Sequence, residues 1–172
     1  MEIYDLVDEK DNVIGKTNKE ESHKKGLPHR VVAVYVFTDD GKLLVQHRKK
    51  DGLLDHSVGG HVHAGETYDV AALRELKEEL GLIRNNLERV GSLYSDERGY
   101  GMGLKIVHCF SIYEAKLKNA DKIIESKDEV ERIIPMTLSE LAKLMTSNPE
   151  KFTLGFINTF NFYIRERKIE LN

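Results

Sequence analysis

The sequence lacks the features that define several large classes of protein. It has one cysteine, Cys109, among 172 residues, so no disulfide can form within the chain. Its longest apolar run, residues 31–37, is far too short to cross a bilayer. The acidic segment 1–12 contains no apolar signal core. We therefore expect a protein of the reducing cytoplasm without membrane association, in which Cys109 is a small buried hydrophobe.

A strong excess of one charge is also absent. The chain has 26 basic and 29 acidic residues and no basic tract, which argues against general nucleic-acid binding. No internal repeat, low-complexity tract or interdomain linker is present. A chain of 172 residues is long enough to bury a sound core as one domain. We expect residues 1–172 to form that domain, with residues 1–29 as an N-terminal extension packed on it.

Apolar and β-branched segments of strand length recur along the chain. They predict strands at residues 3–7, 13–17, 31–37, 43–47, 87–95, 104–115 and 130–135. The polar segment 9–12 predicts that the first two strands form a hairpin. Helices are predicted at residues 19–25, 137–145 and 149–167.

The last of these predicted helices has a row of apolar side chains. Its members follow helical spacing and are Phe152, Phe156, Ile157, Phe160 and Ile164. Such a row most simply indicates a face that packs against the core. A homodimer interface is the alternative interpretation.

Three glutamates in the middle of the chain predict a metal site. Glu75, Glu78 and Glu79 stand at i, i+3 and i+4, where helical side chains are neighbours. Like charges at this spacing destabilise a bare helix by roughly 0.2–0.5 kcal/mol per pair. A divalent cation between the carboxylates removes that repulsion, and hard cations such as Mg²⁺ prefer oxygen ligands. The opposite side of the same helix is apolar, with Leu73, Leu76 and Leu80 and, at its margin, Ala72.

Glycines mark both ends of this helix. The lead-in at residues 57–60 contains Gly59 and Gly60, which allow a sharp turn and a close approach to a ligand. Gly81 stands where a C-terminal helix glycine belongs, and Thr67 or Glu66 is expected to cap the start.

The whole segment resembles a known family signature. Residues 60–82 follow the pattern Gly-x5-Glu-x7-Arg-Glu-Leu-x-Glu-Glu-x-Gly-Leu with nine positions filled over 23 residues. This pattern resembles the Nudix box of the Nudix hydrolase superfamily. The resemblance implies an α/β fold, an α/β/α sandwich around a mixed β-sheet. It also implies metal-dependent hydrolysis of a nucleoside diphosphate linked to another group. A non-catalytic nucleotide-binding or regulatory module is the alternative, although an intact box argues against it.

The resemblance also implies roles for the residues of the box. Glu75, Glu78 and Glu79 would hold Mg²⁺ or Mn²⁺, with Glu66 as an accessory ligand. The Gly59 carbonyl would be a further ligand. In this interpretation Arg74 would not bind metal but would pair with a box glutamate and fix its rotamer. Glu78 lies four residues beyond Arg74, so it is a reasonable partner.

A second resemblance covers residues 4–82 and concerns isopentenyl-diphosphate isomerase and its Nudix relatives. It is carried by residues 7–9 and 13–15, by His23, by His29-Arg30 and by the strand at 42–48. In the isomerase, histidines at the positions of His23, His29 and His61 bind a metal. The isomerase also needs a cysteine where this chain has Gly59, and downstream glutamate ligands that residues 104–107 lack. We therefore expect a hydrolase that shares the isomerase's N-terminal elaboration rather than an isomerase.

The expected partner is a small-molecule diphosphate of nucleotide origin. Arg48, at the end of a strand, is a candidate phosphate clamp together with residues 49–50, and a solvated turn is the alternative. His61 and His63 flank Val62 on an expected strand, so both point to one side. One interpretation is that they contact substrate or bind a metal. The alternative is that they are polar residues that line the mouth of the cleft.

Two further questions stay open from the sequence. A glutamate from a loop after the box often assists such enzymes, and Glu97, Glu125 and Glu129 are the candidates. Aromatic residues suited to stacking on a base, or to the core, are Tyr94, Tyr100 and Phe110. Nothing in the sequence chooses among substrates such as nucleotide sugars, dinucleoside polyphosphates, oxidised nucleotides and non-nucleotide diphosphates.

Overall fold

The computed structural model describes residues 2–98 and 105–171. The strands in these ranges are β1 (Tyr4–Val7), β2 (Val13–Thr17), β3 (His29–Phe37), β4 (Leu43–Arg48), β5 (Leu54–Asp55), β6 (Val58–His61), β7 (Glu88–Asp96), β8 (Val107–Lys116) and β9 (Val130–Met136). The helices are α1 (Lys19–Lys25), α2 (Tyr68–Leu80), α3 (Leu138–Ser147) and α4 (Leu154–Glu166), with a 3₁₀ turn at Pro149–Lys151.

Strand β3 lies at the centre of one mixed sheet. It runs parallel to β8 and antiparallel to β1, β4 and β6. On one side β8 continues into β7, and on the other β4 pairs with both β5 and β9. The parallel pair spans all nine residues of β3, from His29 opposite His108 to Phe37 opposite Lys116.

Alternating side chains of β3 enter two separate cores. Val31, Ala33 and Tyr35 pack with α3 and α4 on one face of the sheet. Val32 and Val34 pack with α2 on the other face. Because successive strand residues point to opposite faces, one fully buried strand supports helices on both sides. This arrangement confirms the expected α/β/α sandwich.

The N-terminal extension has the predicted form. Strands β1 and β2 pair antiparallel, and Leu6 joins them to the central sheet opposite His29. Helix α1 begins after Asn18, whose side chain accepts a hydrogen bond from the backbone N–H of Glu21. It ends at Gly26, which takes the left-handed conformation with φ 70°.

The C-terminal helix begins later than the sequence predicts. Instead of one helix over 149–167, a 3₁₀ turn is followed by an extended Phe152 that bridges to Leu54. Thr153 then caps α4, and its hydroxyl also donates a 2.8 Å hydrogen bond to Asp55. These ties to β5 override the local helical pattern. The strand predicted at 104–115 likewise starts only at Val107, with residues 99–104 outside the described ranges.

The predicted apolar row does belong to the core. Phe152, Phe156 and Phe160 are buried, and Ile157 and Ile164 pack against them at the margin. Cys109 is buried as expected. Among the described residues no helix is long and apolar enough to span a membrane.

Replacing Leu76 by alanine should strongly destabilise the fold. Leu76 is fully buried between α2 and the sheet, so truncation should lower the free energy of unfolding by about 2–5 kcal/mol. Val70 on the same helix is 54% exposed, and its replacement by alanine should change stability by less than about 0.5 kcal/mol. Urea unfolding measures both. Equal losses in the two variants would contradict the packing of α2 described here.

Candidate metal and catalytic site

Helix α2 carries the three glutamates and is fixed at both ends. Thr67, rather than Glu66, is the N-cap, and its hydroxyl accepts a hydrogen bond from the N–H of Val70. Gly81 ends the helix in the left-handed conformation with φ 68°. Leu76 and Leu80, each next to a glutamate in the sequence, pack on the sheet. The position of the helix therefore determines where its carboxylates lie.

Two of the three glutamates are buried. Glu75 is 8% exposed and Glu79 only 2%, whereas the side chain of Glu78 is 55% exposed. The buried pair lies against β6 and β4, because Gly59 and Gln46 donate hydrogen bonds to the carboxylate of Glu79. The sequence pattern predicted that the three are neighbours but not that two of them are removed from water.

Arg74 connects most of the predicted site residues. Its Nη1 contacts Glu75 Oε1 at 2.6 Å and Glu78 Oε2 at 3.3 Å. Its Nε and Nη2 form a bidentate pair with Glu66 at 3.0 and 2.9 Å. Nη2 also donates to the backbone carbonyl of His61 at 2.9 Å. The predicted pairing with Glu78 is present, but the shorter contacts are those to Glu66 and Glu75.

Gly60 is required by close packing against Glu75. A Cβ built on Gly60 would lie 2.0 Å from the carboxylate carbon of Glu75, far too close for two non-bonded atoms. A Cβ on the neighbouring Gly59 would meet only His56 and Val32 at 3.5 Å or more. The two neighbouring glycines therefore differ. The missing side chain of Gly60 leaves room for the Glu75 carboxylate, whereas Gly59 has only ordinary neighbours.

Burial makes ionisation of the inner glutamates costly. It raises the pKa of Glu75 to about 7, an effect that the charges of Glu78 and Glu129 reinforce and Arg74 opposes. Burial and the charge of Glu75 also raise the pKa of Glu79 well above its usual value. Glu66 differs, because hydrogen bonds from Arg74 and from the N–H of His63 lower its pKa despite partial burial.

This donor set fits a hard divalent cation. Glu75 and Glu79 are buried, repel each other, and have only one cationic side chain, Arg74, among their hydrogen-bond partners in the described parts of the chain. A cation bound by carboxylate oxygens restores the ionised form of both. The Gly59 carbonyl, on the adjoining strand, stays the further ligand that the family resemblance implies.

The carboxylates of Glu75 and Glu78 border a cavity of about 660 Å³. Its lining includes Glu75, Glu78 and Arg74 from the box and the basic residues Lys19, Arg48 and Lys50. The guanidinium of Arg48 already contacts Asp55 at 2.7 Å and Asp51 at 2.6 Å. Lys19 was not recognised from the sequence, where it is simply the first residue of a short helix.

Of the three downstream glutamates, Glu97 is the one buried in the cavity wall. It is 7% exposed and accepts a 3.1 Å hydrogen bond from Ser95, and burial raises its pKa to about 7. Glu129 also lines the cavity but is exposed. Glu125 is exposed and accepts a hydrogen bond from the backbone of Ile133.

The three aromatic candidates for stacking on a base also differ in their positions. Phe110 belongs to the core, although its edge lines the cavity. Tyr94 is partly buried on β7, and burial raises its pKa. Tyr100 lies outside the described residues.

The histidines of the site fall into two groups. His63 is 42% exposed and stands 3.9–4.0 Å from Glu2 and Glu66. His61 turns inward, where its ring stacks on Tyr4 at 4.7 Å. It joins His23, His29 and a fourth histidine, His108, that sequence reasoning missed. The signal was available, because His108 stands one residue beyond the stretch 104–107 in which the isomerase resemblance places carboxylate ligands.

Comparison with known proteins gives consistent matches. The family model of the NUDIX domain matches residues 27–156. A Nudix hydrolase of Streptomyces coelicolor is 45% identical over 85 residues, so the match spans about half of each chain, 46% and 47%. A Nudix hydrolase of Nostoc sp. is 38% identical over 134 residues, covering 73% of this chain and 79% of the relative. The isopentenyl-diphosphate Delta-isomerase of Serratia proteamaculans is 32% identical over 166 residues, covering 91% and 88%.

Solved structures share the fold at low sequence identity. The protein DR0079 from Deinococcus radiodurans superimposes with a TM-score of 0.72 at 23% identity, covering 97% of this chain and 98% of that one. The NUDIX domain of Shewanella oneidensis NrtR, solved with ADP ribose, gives a TM-score of 0.59 at 17% identity, covering 81% and 88%. The sandwich is thus shared with both structures, and the match to DR0079 spans nearly the whole chain.

Replacing Gly60 by alanine should displace Glu75 while the fold survives. The added methyl group requires the space of the Glu75 carboxylate, which Arg74 holds in place. We expect metal-dependent turnover to fall at least about tenfold, equivalent to about 1.4 kcal/mol in the barrier. Gly59→Ala is the matched control, because its methyl group meets only ordinary contacts. Steady-state kinetics and thermal unfolding test this, and similar turnover in both variants would contradict the steric argument.

Replacing Glu97 by glutamine should change how stability depends on pH. The pKa of this carboxyl is about 7 in the folded chain against 4.5 ordinarily, so its ionisation costs stability as pH rises from about 4.5 through 7. Glutamine does not ionise. The variant should therefore gain about 1–3 kcal/mol relative to the parent protein between pH 5 and pH 8. Urea unfolding at both pH values measures this difference. The pH-dependent contributions of Glu75 and Glu79 to stability cancel in the comparison, because both proteins contain these residues. A pH-independent difference would contradict the burial of an ionisable Glu97.

Proposed function

Because the chain belongs to the Nudix hydrolase family, we propose that it hydrolyses a diphosphate linkage in a nucleotide-derived small molecule. The observation that carries this proposal is the complete box, of which Glu75, Glu78 and Arg74 line the cavity while Glu79 is buried beside them. The ADP ribose in the related Shewanella domain supports a nucleoside diphosphate carrying a further group as the substrate class. The intact donor set favours catalysis over a binding-only module.

Glu75, Glu78 and Glu79, assisted by Glu66 and the Gly59 carbonyl, would hold Mg²⁺ or Mn²⁺ in this proposal. The bound ion supplies charge neutralisation on the diphosphate and a water of lowered pKa. Arg74 positions Glu75 and Glu66 through its hydrogen bonds and keeps both acceptors aligned. Water attacks one phosphorus, the bridging P–O bond breaks, and two phosphate-bearing products and one proton leave. Positioning and charge stabilisation carry most of such a reaction.

Other cavity residues complete the proposed reaction. Glu97 is the candidate to accept the proton of the attacking water, because its raised pKa of about 7 suits a general base near neutral pH. Lys19 and Lys50 are the candidate phosphate contacts, since Arg48 is already paired with two aspartates. We also propose that residues 2–29 belong to the same domain, because β1 pairs with β3 and Tyr4 packs on His61.

Isopentenyl-diphosphate isomerisation is a second candidate because an isomerase matches 91% of the chain. Against it stands the absence of a thiol at the site. The single cysteine of the sequence, Cys109, is buried with its Sγ 3.9 Å from the backbone carbonyl of Asp8 and does not line the cavity. Gly59 stands where the isomerase resemblance requires a cysteine. A proton donor for carbocation chemistry is therefore lacking at that position.

A chromatographic screen for hydrolysis products with Mg²⁺ and Mn²⁺ tests the proposed reaction, because cleavage of a nucleotide sugar leaves two phosphate monoesters and no free phosphate. It covers nucleoside di- and triphosphates, nucleotide sugars including ADP ribose, dinucleoside polyphosphates and isopentenyl diphosphate. We expect metal-dependent turnover of at least one nucleotide-derived diphosphate and a loss of at least about 100-fold in Glu79→Gln. Glu166→Gln, at an exposed position of another helix, is the matched control and should keep full activity. No hydrolysis, or isomerisation of isopentenyl diphosphate alone, would overturn the proposal.

A further inference from the structure

Four histidine rings converge at a point that the box does not include. His23 comes from α1, His29 begins β3, His61 ends β6, and His108 lies on β8. One ring nitrogen from each lies within 4.8 Å of all the others. The rings of His29 and His108 have their centroids 4.8 Å apart, and those of His29 and His61 are 5.1 Å apart.

Five ring nitrogens of this cluster have no hydrogen-bond partner in the described part of the chain. Nε2 of His23, His29 and His61 and both ring nitrogens of His108 are buried and make no hydrogen bond within the described residues. A buried polar atom without a partner costs about 1–3 kcal/mol, and four such rings in one place are costly together. Chains rarely keep such groups buried unless something satisfies them.

Neighbouring groups fix the rings in an orientation suited to binding. His29 Nδ1 lies 2.9 Å from the backbone carbonyl of Leu27. A carbonyl only accepts, so Nδ1 carries the proton and Nε2 presents a lone pair towards the cluster. This is the outer hydrogen bond that metal-ligating histidines usually make. Tyr4 stacks on His61 at 4.7 Å and on His29 at 5.7 Å and so restrains both rings.

We propose that His23, His29, His61 and His108 together bind one late transition-metal ion, with Zn²⁺ as the preferred occupant. Three of these positions follow the isomerase resemblance. The fourth ligand, His108, and the resulting nitrogen-only donor set do not. Imidazole nitrogen suits Zn²⁺, Ni²⁺ and Cu²⁺, whereas carboxylate oxygen suits Mg²⁺ and Mn²⁺. The chain therefore has two sites of different metal preference.

The geometry suits a tetrahedral ion after a small movement. Zinc–nitrogen bonds of about 2.0–2.1 Å place tetrahedral ligands about 3.4 Å apart. Nitrogens no more than 4.8 Å apart reach this arrangement when each ring moves inward by less than about 1 Å. His23, His61 and His108 also line the cavity, so the ion would lie in its wall. It would tie α1 of the N-terminal extension to three strands of the sheet.

Metal binding to the untagged full chain tests this proposal without reference to activity. Metal-free protein is titrated with Zn²⁺ against a chromophoric chelator, and separately with Co²⁺ while visible absorption is recorded. We expect one tightly bound Zn²⁺ per chain, unaffected by a large excess of Mg²⁺, and the intense visible bands of tetrahedral Co²⁺. Zinc should also raise the melting temperature.

Variants decide whether the four histidines are the ligands. Outer hydrogen bonds alone are worth 10–100-fold in metal affinity, so loss of a ligand in His108→Ala should weaken Zn²⁺ binding at least about 100-fold. His23→Ala, at a partly exposed helical position, gives the same test if the first variant does not fold. His47→Ala, outside the cluster, is the matched control and should bind normally. Glu79→Gln should also keep Zn²⁺, which separates this site from the proposed hydrolytic one.

Two results would overturn the proposal. One is a full chain that binds no Zn²⁺ or Co²⁺ above the level of the chelator control. The other is Zn²⁺ affinity that survives in both His108→Ala and His23→Ala, or that disappears in Glu79→Gln, because the ion would then lie at the carboxylates. Failure of hydrolysis in the product screen leaves these outcomes unaffected.

Discussion

The burial of two carboxylates on α2 is the constraint on which the rest of the site depends. Glu75 and Glu79 are buried rather than in contact with water, and the charge of Glu75 raises the cost of ionising Glu79. The surrounding structure reduces that cost in part. Arg74 holds Glu75, Gln46 and the backbone of Gly59 donate to Glu79, and the missing side chain of Gly60 leaves the required space. In our proposal a divalent cation completes the balance of charge.

The fold brings these groups together through its central strand. β3 supports α2 on one face and α4 on the other, so the short strand β6 beside it presents Gly59 and Gly60 to the helix. Strand β3 itself begins with His29, which lies opposite His108 of β8. One rigid element thus aligns a carboxylate group and an imidazole group at the border of one cavity. The cavity therefore has both carboxylate oxygens and imidazole nitrogens at its border, whereas the box alone would supply only carboxylates.

How far the sequence predicts the molecule depends on whether the signal is local. The glutamate spacing, the cap at Gly81 and the N-terminal hairpin are encoded within a few residues, and the structure has all three. The start of α4 was predicted wrongly because Thr153 is held by Asp55, about a hundred residues away in sequence. The four-histidine cluster was incomplete for the same reason. His108 joins it through parallel pairing of β3 with β8, which no periodicity within either strand specifies.

Thermal unfolding with and without Mg²⁺ at pH 8 tests the central claim most directly. If Mg²⁺ binds the buried carboxylates of Glu75 and Glu79, it should raise the melting temperature of the parent protein. At a hundredfold excess over Kd, binding adds about 2.7 kcal/mol to the free energy of unfolding. Glu79→Gln removes one buried charge, so its melting temperature should respond far less. An unchanged melting temperature in the parent protein, or an equal rise in the variant, would contradict the account of a carboxylate pair that a cation completes.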